Sequence, residues 1–368
     1  MTELNLGLFL MPAHPPERSM YDATQWDLEM IKYADELGYS EAWVGEHFTA
    51  PWEPIPAPDL LIAQALLQTK QIKLAPGAHI LPYHHPVELA HRVAYLDHLA
   101  QGRLMLGIGA GGTVTDWELF NLDVKSGENR KMMIEAFELI QKLWSDEETF
   151  EFRGEYYSAN QPKPKFGGLL KPHIKPLQKP HPPIGVTGLS ASSSTLKMAG
   201  KHGFIPTSLG FNMDYIASHW EAVSEAAKEA GRTPDRKDWR IAQNVFVAKT
   251  DEEALERTLH GWMGEYFDKY WLPHFKDLGH IKHLKPDPNV SDEEFTVEYM
   301  IKECCFVGSP ETVTRKLQKF YDAVGGFGTL LITGYDYSEN PGHWKESMHL
   351  LKNEVLPNLN TEDMTVSS

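Results

Sequence analysis

The sequence predicts an α/β fold, a single (β/α)8 TIM barrel of the parallel, helix-wrapped kind, and three observations carry that prediction. Short apolar runs alternate with amphipathic segments of helical period along almost the whole chain. Eight such runs are found, the number that closes a barrel. No internal repeat and no break in composition divides the series. At 368 residues the length alone suggests two domains, but α/β barrels exceed that rule as single units. An open doubly wound sheet is the competing arrangement.

Taken in order, LNLGLFL (4–10) reads as a buried strand, and 24–38 places Trp26, Met30, Tyr33, Ala34 and Leu37 on one helical face before a glycine stop. SEAWVGEH (40–47) is the second strand. PDLLIAQALLQTK is helical, IKLAPGAHIL a strand, PVELAHRVAYLDHLAQG a helix opened by proline, and RLMLGIGA the fourth strand. A helix over 129–144 and a hairpin over 149–158 precede a Pro/Lys-rich linker and the strand PIGVTG. Then come a helix at 194–202, the strand FIPTSLG, a helix at 214–230, the strand IAQNVFVAKT and a helix at 251–268. An irregular stretch, 270–300, leads to the helix SPETVTRKLQKFYDAVG, the strand TLLITG and a last helix at 343–355. The barrel is expected to occupy 1–358, with 270–300 as an insertion or lid, and the polar tail 359–368 is expected to fray.

Charge narrows the function. With 51 acidic against 35 basic side chains the formal net charge is −16, which repels phosphate backbones and anionic lipid. Neither nucleic acid nor a membrane is an expected partner. The N-terminal apolar run is too short, and wrongly flanked by Glu3 and Pro12, for a signal peptide or a span. The two cysteines, Cys304 and Cys305, are adjacent, which suits neither a mutual disulfide nor a zinc site. A cytoplasmic protein is expected.

In a barrel the chemistry sits on loops after the strands, here 11–16, 46–56, 78–86, 109–115, 188–194, 208–212 and 334–337. Gly107, Gly109 and Gly112 satisfy the dinucleotide spacing G-x-G-x-x-G. That fingerprint, however, should follow a first strand, open a helix directly and precede an acidic residue ~20 positions on. These glycines follow the fourth strand, and TVTDWELFNLD after them brings turn residues and negative charge. A structural turn, or a close backbone approach to a flat ligand, remains. His79, His84, His85, His91 and His98 form no H-E-x-x-H, so no metal is expected.

Five segments in register, AWVGEHF, GAHILPYHHPVELA, LDHLAQGRLMLGIGAGG, NRKMMIEAFELIQKLWSDEETFEFRGEYYS and VGSPETVTRKLQKF, resemble the bacterial luciferase-like flavin-dependent monooxygenases. The resemblance covers about residues 4–356 and is nearest the limonene and diketocamphane monooxygenase branch. It implies a TIM barrel that binds reduced FMN delivered by a separate reductase, forms a C4a-peroxyflavin with O2, and oxygenates an apolar ketone, alkene or aldehyde. It also implies a homodimer. A deazaflavin-dependent hydride-transfer enzyme, a non-catalytic flavin binder and a metal-dependent barrel hydrolase are the alternatives.

The same resemblance assigns residues. His47 matches the catalytic histidine and has a pKa suited to proton transfer, the alternative being a loop histidine bonded to a neighbour. Glu46, on the opposite side by strand alternation, is expected to orient neighbours. Gly77 and Ala78 match the family's non-prolyl cis peptide beneath the flavin, although small residues also serve simple strand packing. Gly109, Ala110, Gly111 and Gly112 would shape the loop at the flavin. Two departures stand out: Gly109 and Ala110 replace a reactive cysteine and a phosphate-binding arginine of the luciferase α subunit, and Leu189 replaces an acidic residue. The turn at Gly188, with Ser190 and Ser193 leading into a helix, is expected to take the phosphate, an ordinary serine cap being the alternative. Met11, Trp52 and His79 are expected to line the substrate pocket.

Overall fold

In the computed structural model, which describes residues 4–191, 193–277, 281, 285–287 and 289–361, the eight expected runs form one parallel ring. The strands are β1 (Asn5–Ala13), β2 (Glu41–Val44), β3 (Lys73–Pro76, resuming as His79–Ile80), β4 (Leu106–Gly109), β5 (Ile184–Gly188), β6 (Ile205–Leu209), β7 (Arg240–Gln243) and β8 (Thr329–Tyr335). Neighbours run β3-β2-β1-β8-β7-β6-β5-β4. Closure falls on β3, which a cis Gly77–Ala78 peptide splits in two. Its first half pairs with β2 (Val44 opposite Pro76) and its second with β4 (His79 opposite Ile108), with a bridge from Leu74 to Leu104.

Two cores follow from strand alternation. Inward-facing Phe9, Trp43, Ala75, Met105, Ile205, Ala242 and Leu331 fill the barrel. The outward-facing set, Leu6, Leu8, Val44, Leu74, Ile108, Val186 and Leu330 among them, packs under the helices. Burying each large side chain contributes roughly 1.5–3 kcal/mol, and Trp43 needs room: a Cβ on Gly185 would lie 2.6 Å from its ring. Below it, Glu41 accepts from Trp43 Nε1 at 2.9 Å and from Arg240 Nε and Nη2 at 3.0 Å each, so this buried carboxylate is paired.

The structure departs from the sequence reading where side chains override periodicity. The first helix is Met20–Glu36, starting four residues earlier than expected, because Ser19 caps it by accepting from the Asp22 N–H at 3.1 Å. The run IAQNVFVAKT is two strands: after β7, Val245–Val247 leaves the ring and pairs with Phe306–Gly308 in a separate ribbon. The helix expected over 251–268 breaks after Asp251–Leu259, in a turn so close that a Cβ at Gly261 would lie 2.0 Å from the Arg257 carbonyl. It resumes as Trp262–Tyr266 and Phe267–Trp271. The segment 270–300 is partly helical, at Leu272–Asp277, Val297–Tyr299 and from Met300, and 278–280, 282–284 and 288 lie outside the described residues. TVTDWELFNLD holds a short helix, Val114–Leu119. The hairpin pairs Phe150–Arg153 with Ser158–Gln161. Of the tail, Asn360 donates its N–H to Gln318 at 2.7 Å, and 362–368 lie outside the described residues. Among the described residues no helix is long and apolar enough to cross a membrane.

Candidate functional site

The C-terminal ends of β2, β3 and β4 bring together most of the residues singled out above. β2 stops at Val44, and the chain turns so that Glu46 and His47 point to different partners. Glu46 is buried and receives three donors: His79 Nδ1 at 3.1 Å and the Ile80 N–H at 3.0 Å on one oxygen, His84 Nε2 at 2.6 Å on the other. Burial alone would raise this carboxyl, but the bonds and charge of the two histidines outweigh it and hold it down at about 2. Glu46 therefore orients His79 and His84, not His47.

His47 lies on the other side. Its Nδ1 is 3.2 Å from Thr113 Oγ1 and its Nε2 is 3.4 Å from Glu53 Oε2, while its backbone N–H donates to the Ile55 carbonyl at 3.0 Å. Glu53 also accepts the Tyr266 hydroxyl at 2.5 Å and the Tyr270 hydroxyl at 3.2 Å. Burial first, and the Glu53 charge second, raise both phenols, so they stay protonated donors. Trp52 stacks on Tyr270 with ring centroids 6.2 Å apart. Met11 packs on the barrel-interior cluster beside Gly45. Asp116, buried, ties the loop after β4 to the loop after β2 by accepting from the Phe48 N–H at 3.3 Å and from Thr49 at 2.5 Å.

Between these groups runs backbone with little side chain. Ala78 and Gly109 face each other, a Cβ on Gly109 falling 3.5 Å from that of Ala78. Gly111 has φ +87°, and a side chain there would meet the Tyr83 hydroxyl at 2.6 Å and Trp117 Nε1 at 3.1 Å. The Ala110 carbonyl accepts from buried Asn129 at 3.1 Å, which pins the loop. Among the described residues, three buried polar atoms at this end have no protein partner: His79 Nε2, the Tyr83 hydroxyl and Trp117 Nε1.

The neighbouring strand β5 carries the second group. Gly188 ends it, and Ser193 Oγ would lie 2.9 Å from a Cβ at Gly188. Buried Ser193 precedes the helix Ser194–His202 and makes no capping bond from its side chain, so among the described residues no side chain caps the first-turn N–H groups. Leu189 and Ser190 are exposed.

The histidines separate. His85 caps the helix Pro86–Ala100, His91 bonds the Val87 carbonyl and His98 the Lys175 carbonyl. Only His79 and His84 converge, and with Glu46 they present ligand-type atoms within 4.8 Å of one another. Both carboxylate oxygens there are already engaged by imidazole nitrogens.

Sequence reasoning missed Glu53, Thr113, Asp116, Tyr266 and Tyr270. The first lies in a Pro-rich loop and the last two 213 and 217 residues beyond it, so no local spacing signals their meeting.

Comparison with known proteins finds relatives along nearly the whole chain. The family model described as luciferase-like monooxygenase matches residues 4–326. The 3,6-diketocamphane 1,6-monooxygenase of Pseudomonas putida is 34% identical, covering 97% of this chain and 98% of that one. The limonene 1,2-monooxygenase of Rhodococcus erythropolis is 28% identical over 97% of this chain and 87% of its own. The solved structure of the oxygenating constituent of 3,6-diketocamphane monooxygenase from P. putida, a type II Baeyer-Villiger monooxygenase in complex with FMN, superposes with a TM-score of 0.92 at 34% identity, covering 98% of this chain and 99% of that one.

Proposed function

The chain belongs to the luciferase-like monooxygenase family, and on that premise we propose that it is the FMN-binding oxygenase of a two-component system. It takes reduced FMN from a separate flavin reductase and inserts one oxygen atom of O2 into an apolar substrate, a cyclic ketone in the first instance, with an alkene or aldehyde as the other substrate types. The observation that carries this reading is the side-chain-poor wall at Gly77, Ala78, Gly109, Ala110 and Gly111, flanked by the unpartnered His79 Nε2, Tyr83 hydroxyl and Trp117 Nε1. Buried polar atoms cost free energy unless they are bonded, and a flat heteroaromatic ring offers the shape, acceptors for the Tyr83 hydroxyl and Trp117 Nε1, and a ring N–H for His79 Nε2.

FMN, bound and reduced, supplies the electrons that activate O2. The protein does the rest. Gly188, Ser190 and Ser193 hold the phosphate at the N-terminus of the helix Ser194–His202, in place of the arginine that Ala110 lacks. Glu46 fixes His79 against the ring site. His47 moves a proton, with Glu53 as its carboxylate partner and Thr113 on its other nitrogen. Met11, Trp52, Tyr266 and Tyr270 give the mouth an apolar wall suited to a terpenoid-like substrate, and the segment that carries Tyr270 covers the loop of Trp52 and excludes water.

Two neighbouring helices leave apolar side chains in solvent, Leu60 and Leu67 on Pro58–Leu66 and its cap, Tyr95 and Leu99 on Pro86–Ala100. These pairs, seven and four residues apart, each share a helix face and form the interface of a cytoplasmic homodimer.

The test is turnover under ¹⁸O2 with FMN, a flavin reductase and NADH, against bicyclic ketones, limonene-type alkenes and aldehydes. A product carrying one ¹⁸O atom is expected. Absence of saturable FMNH2 uptake in an anaerobic titration refutes the reading, and O2-independent oxidation of a reduced deazaflavin replaces it with hydride transfer.

A further inference from the structure

Behind the turn at Ser190 lies a line of fully buried polar groups that nothing above uses. Trp239 Nε1 donates to Ser208 Oγ at 2.8 Å; Ser208 Oγ lies 3.0 Å from His219 Nδ1; and His219 Nε2 lies 2.8 Å from the Ser190 carbonyl. Trp239, Ser208 and His219 are each 0% exposed. The directions are fixed by elimination. A carbonyl only accepts, so His219 carries its proton on Nε2; Nδ1 then accepts, and the hydrogen of Ser208 points to it, since the serine oxygen already receives the indole N–H. Ser208 is next to last in β6, Trp239 precedes β7 and His219 stands on the helix Met213–Glu229, so three parts of the barrel wall hold one carbonyl of a surface turn.

We infer that His219 is a positioning residue for phosphate binding, acting through the Trp239–Ser208–His219–Ser190 line. In a trans peptide the carbonyl and the following N–H point in opposite directions. Pinning the Ser190 carbonyl inward on His219 therefore turns the Ala191 N–H outward, at an exposed position next to the helix start. An outward N–H joined to the first-turn N–H groups and Ser193 makes an anion cradle without a cationic side chain. This inference rests on the reading that Gly188, Ser190 and Ser193 take the FMN phosphate.

The experiment compares binding of FMN with binding of riboflavin, which has the ring and lacks the phosphate, to the wild type and to His219→Gln and His219→Asn. Glutamine reaches as far as imidazole Nε2 and keeps the donor to Ser190. Asparagine is too short and loses it. Wild type is expected to prefer FMN; His219→Gln is expected to keep that preference; and His219→Asn is expected to lose about tenfold of it, the scale of one hydrogen bond, with riboflavin affinity unchanged. Unchanged riboflavin uptake also shows that the barrel has folded. If the Asn variant keeps the wild-type preference, or if both ligands weaken equally, the inference is overturned while the phosphate reading stands. If the wild type itself binds FMN and riboflavin alike, both fall.

Discussion

His14, the first residue of the loop beyond β1, gives a stability profile with a definite sign. It is buried between Asp27, 3.2 Å from Nε2, and Asp336, 2.8 Å from Nδ1, and Arg18 Nε sits 2.6 Å from the same Asp336 oxygen. Burial alone would lower the imidazole, but the two carboxylates outweigh it and push it up from 6.5 to about 9. Holding a proton over that interval is worth about 3 kcal/mol. Because the folded value lies above the unfolded one, the contribution is complete below pH 6.5, fades as pH rises and is gone above about 9. Asp27 is held above the ordinary carboxylate range by burial, which the attraction of His14 opposes. The buried thiols, Cys304 raised to about 12, weaken the fold above pH 9 in wild type and variant alike. The perturbation is His14→Gln, which removes the cation and leaves two carboxylates facing each other, at a cost of about 3–5 kcal/mol near pH 6. Urea unfolding at pH 6, 7.5 and 9 is the assay, and the gap between the two proteins is expected to shrink by about 3 kcal/mol across the series. A gap that stays constant refutes the assignment of a charged His14. The backbone N–H of His14 donates to the Trp52 carbonyl at 2.9 Å, a bond that glutamine keeps.

Three further outcomes are expected. His47→Ala lowers turnover about 100-fold with FMN uptake retained, measured by product formation and anaerobic titration; unchanged turnover removes its proton-transfer role. Gly111→Ala places a Cβ at φ +87° against the Tyr83 hydroxyl, costing about 1–3 kcal/mol and weakening FMN binding; a titration indistinguishable from wild type shows that the loop does not touch the ring. Leu60→Glu combined with Leu99→Glu converts a dimer to a monomer in sedimentation equilibrium, and an unaltered mass rules out that interface.

What the sequence made legible was whatever is local. Each barrel strand announced itself as an apolar run, and the glycines at 109 and 111, the small pair at Gly77 and Ala78 and the serines at 190 and 193 sit at strand ends, where position alone draws attention. Glu46 was legible as an orienting group, but its partners were not, because the direction of a side chain just past the last strand residue depends on how that strand ends. Long-range pairings were invisible. Glu53 meets Tyr266 and Tyr270, Asp116 meets Phe48, and His219 meets Ser190, and no periodicity encodes any of these. The strand after β7 was misread for a related reason: Val245–Val247 is as apolar as a barrel strand, and only its pairing with Phe306–Gly308 tells the two apart.

The two carboxylates at the mouth serve different ends because their partners differ. Glu46 accepts from two imidazoles and a backbone N–H, and at about 2 it has no appetite for a proton at neutral pH; its work is to hold His79 and His84 still. Glu53 is shared among two phenols and His47. Those phenols are held above their ordinary range by burial and by Glu53 itself, so they give hydrogen bonds and not protons. A proton passing the mouth on this side is then left to the His47 imidazole, and Glu53 sets the direction in which its Nε2 points. Replacing Glu53 by glutamine should on this argument lower turnover, because His47 Nε2 loses the carboxylate that orients it, while replacing Tyr270 by phenylalanine should leave turnover nearly in place. A turnover that falls with Tyr270→Phe and not with Glu53→Gln would transfer the proton to the phenol and undo the assignment of His47.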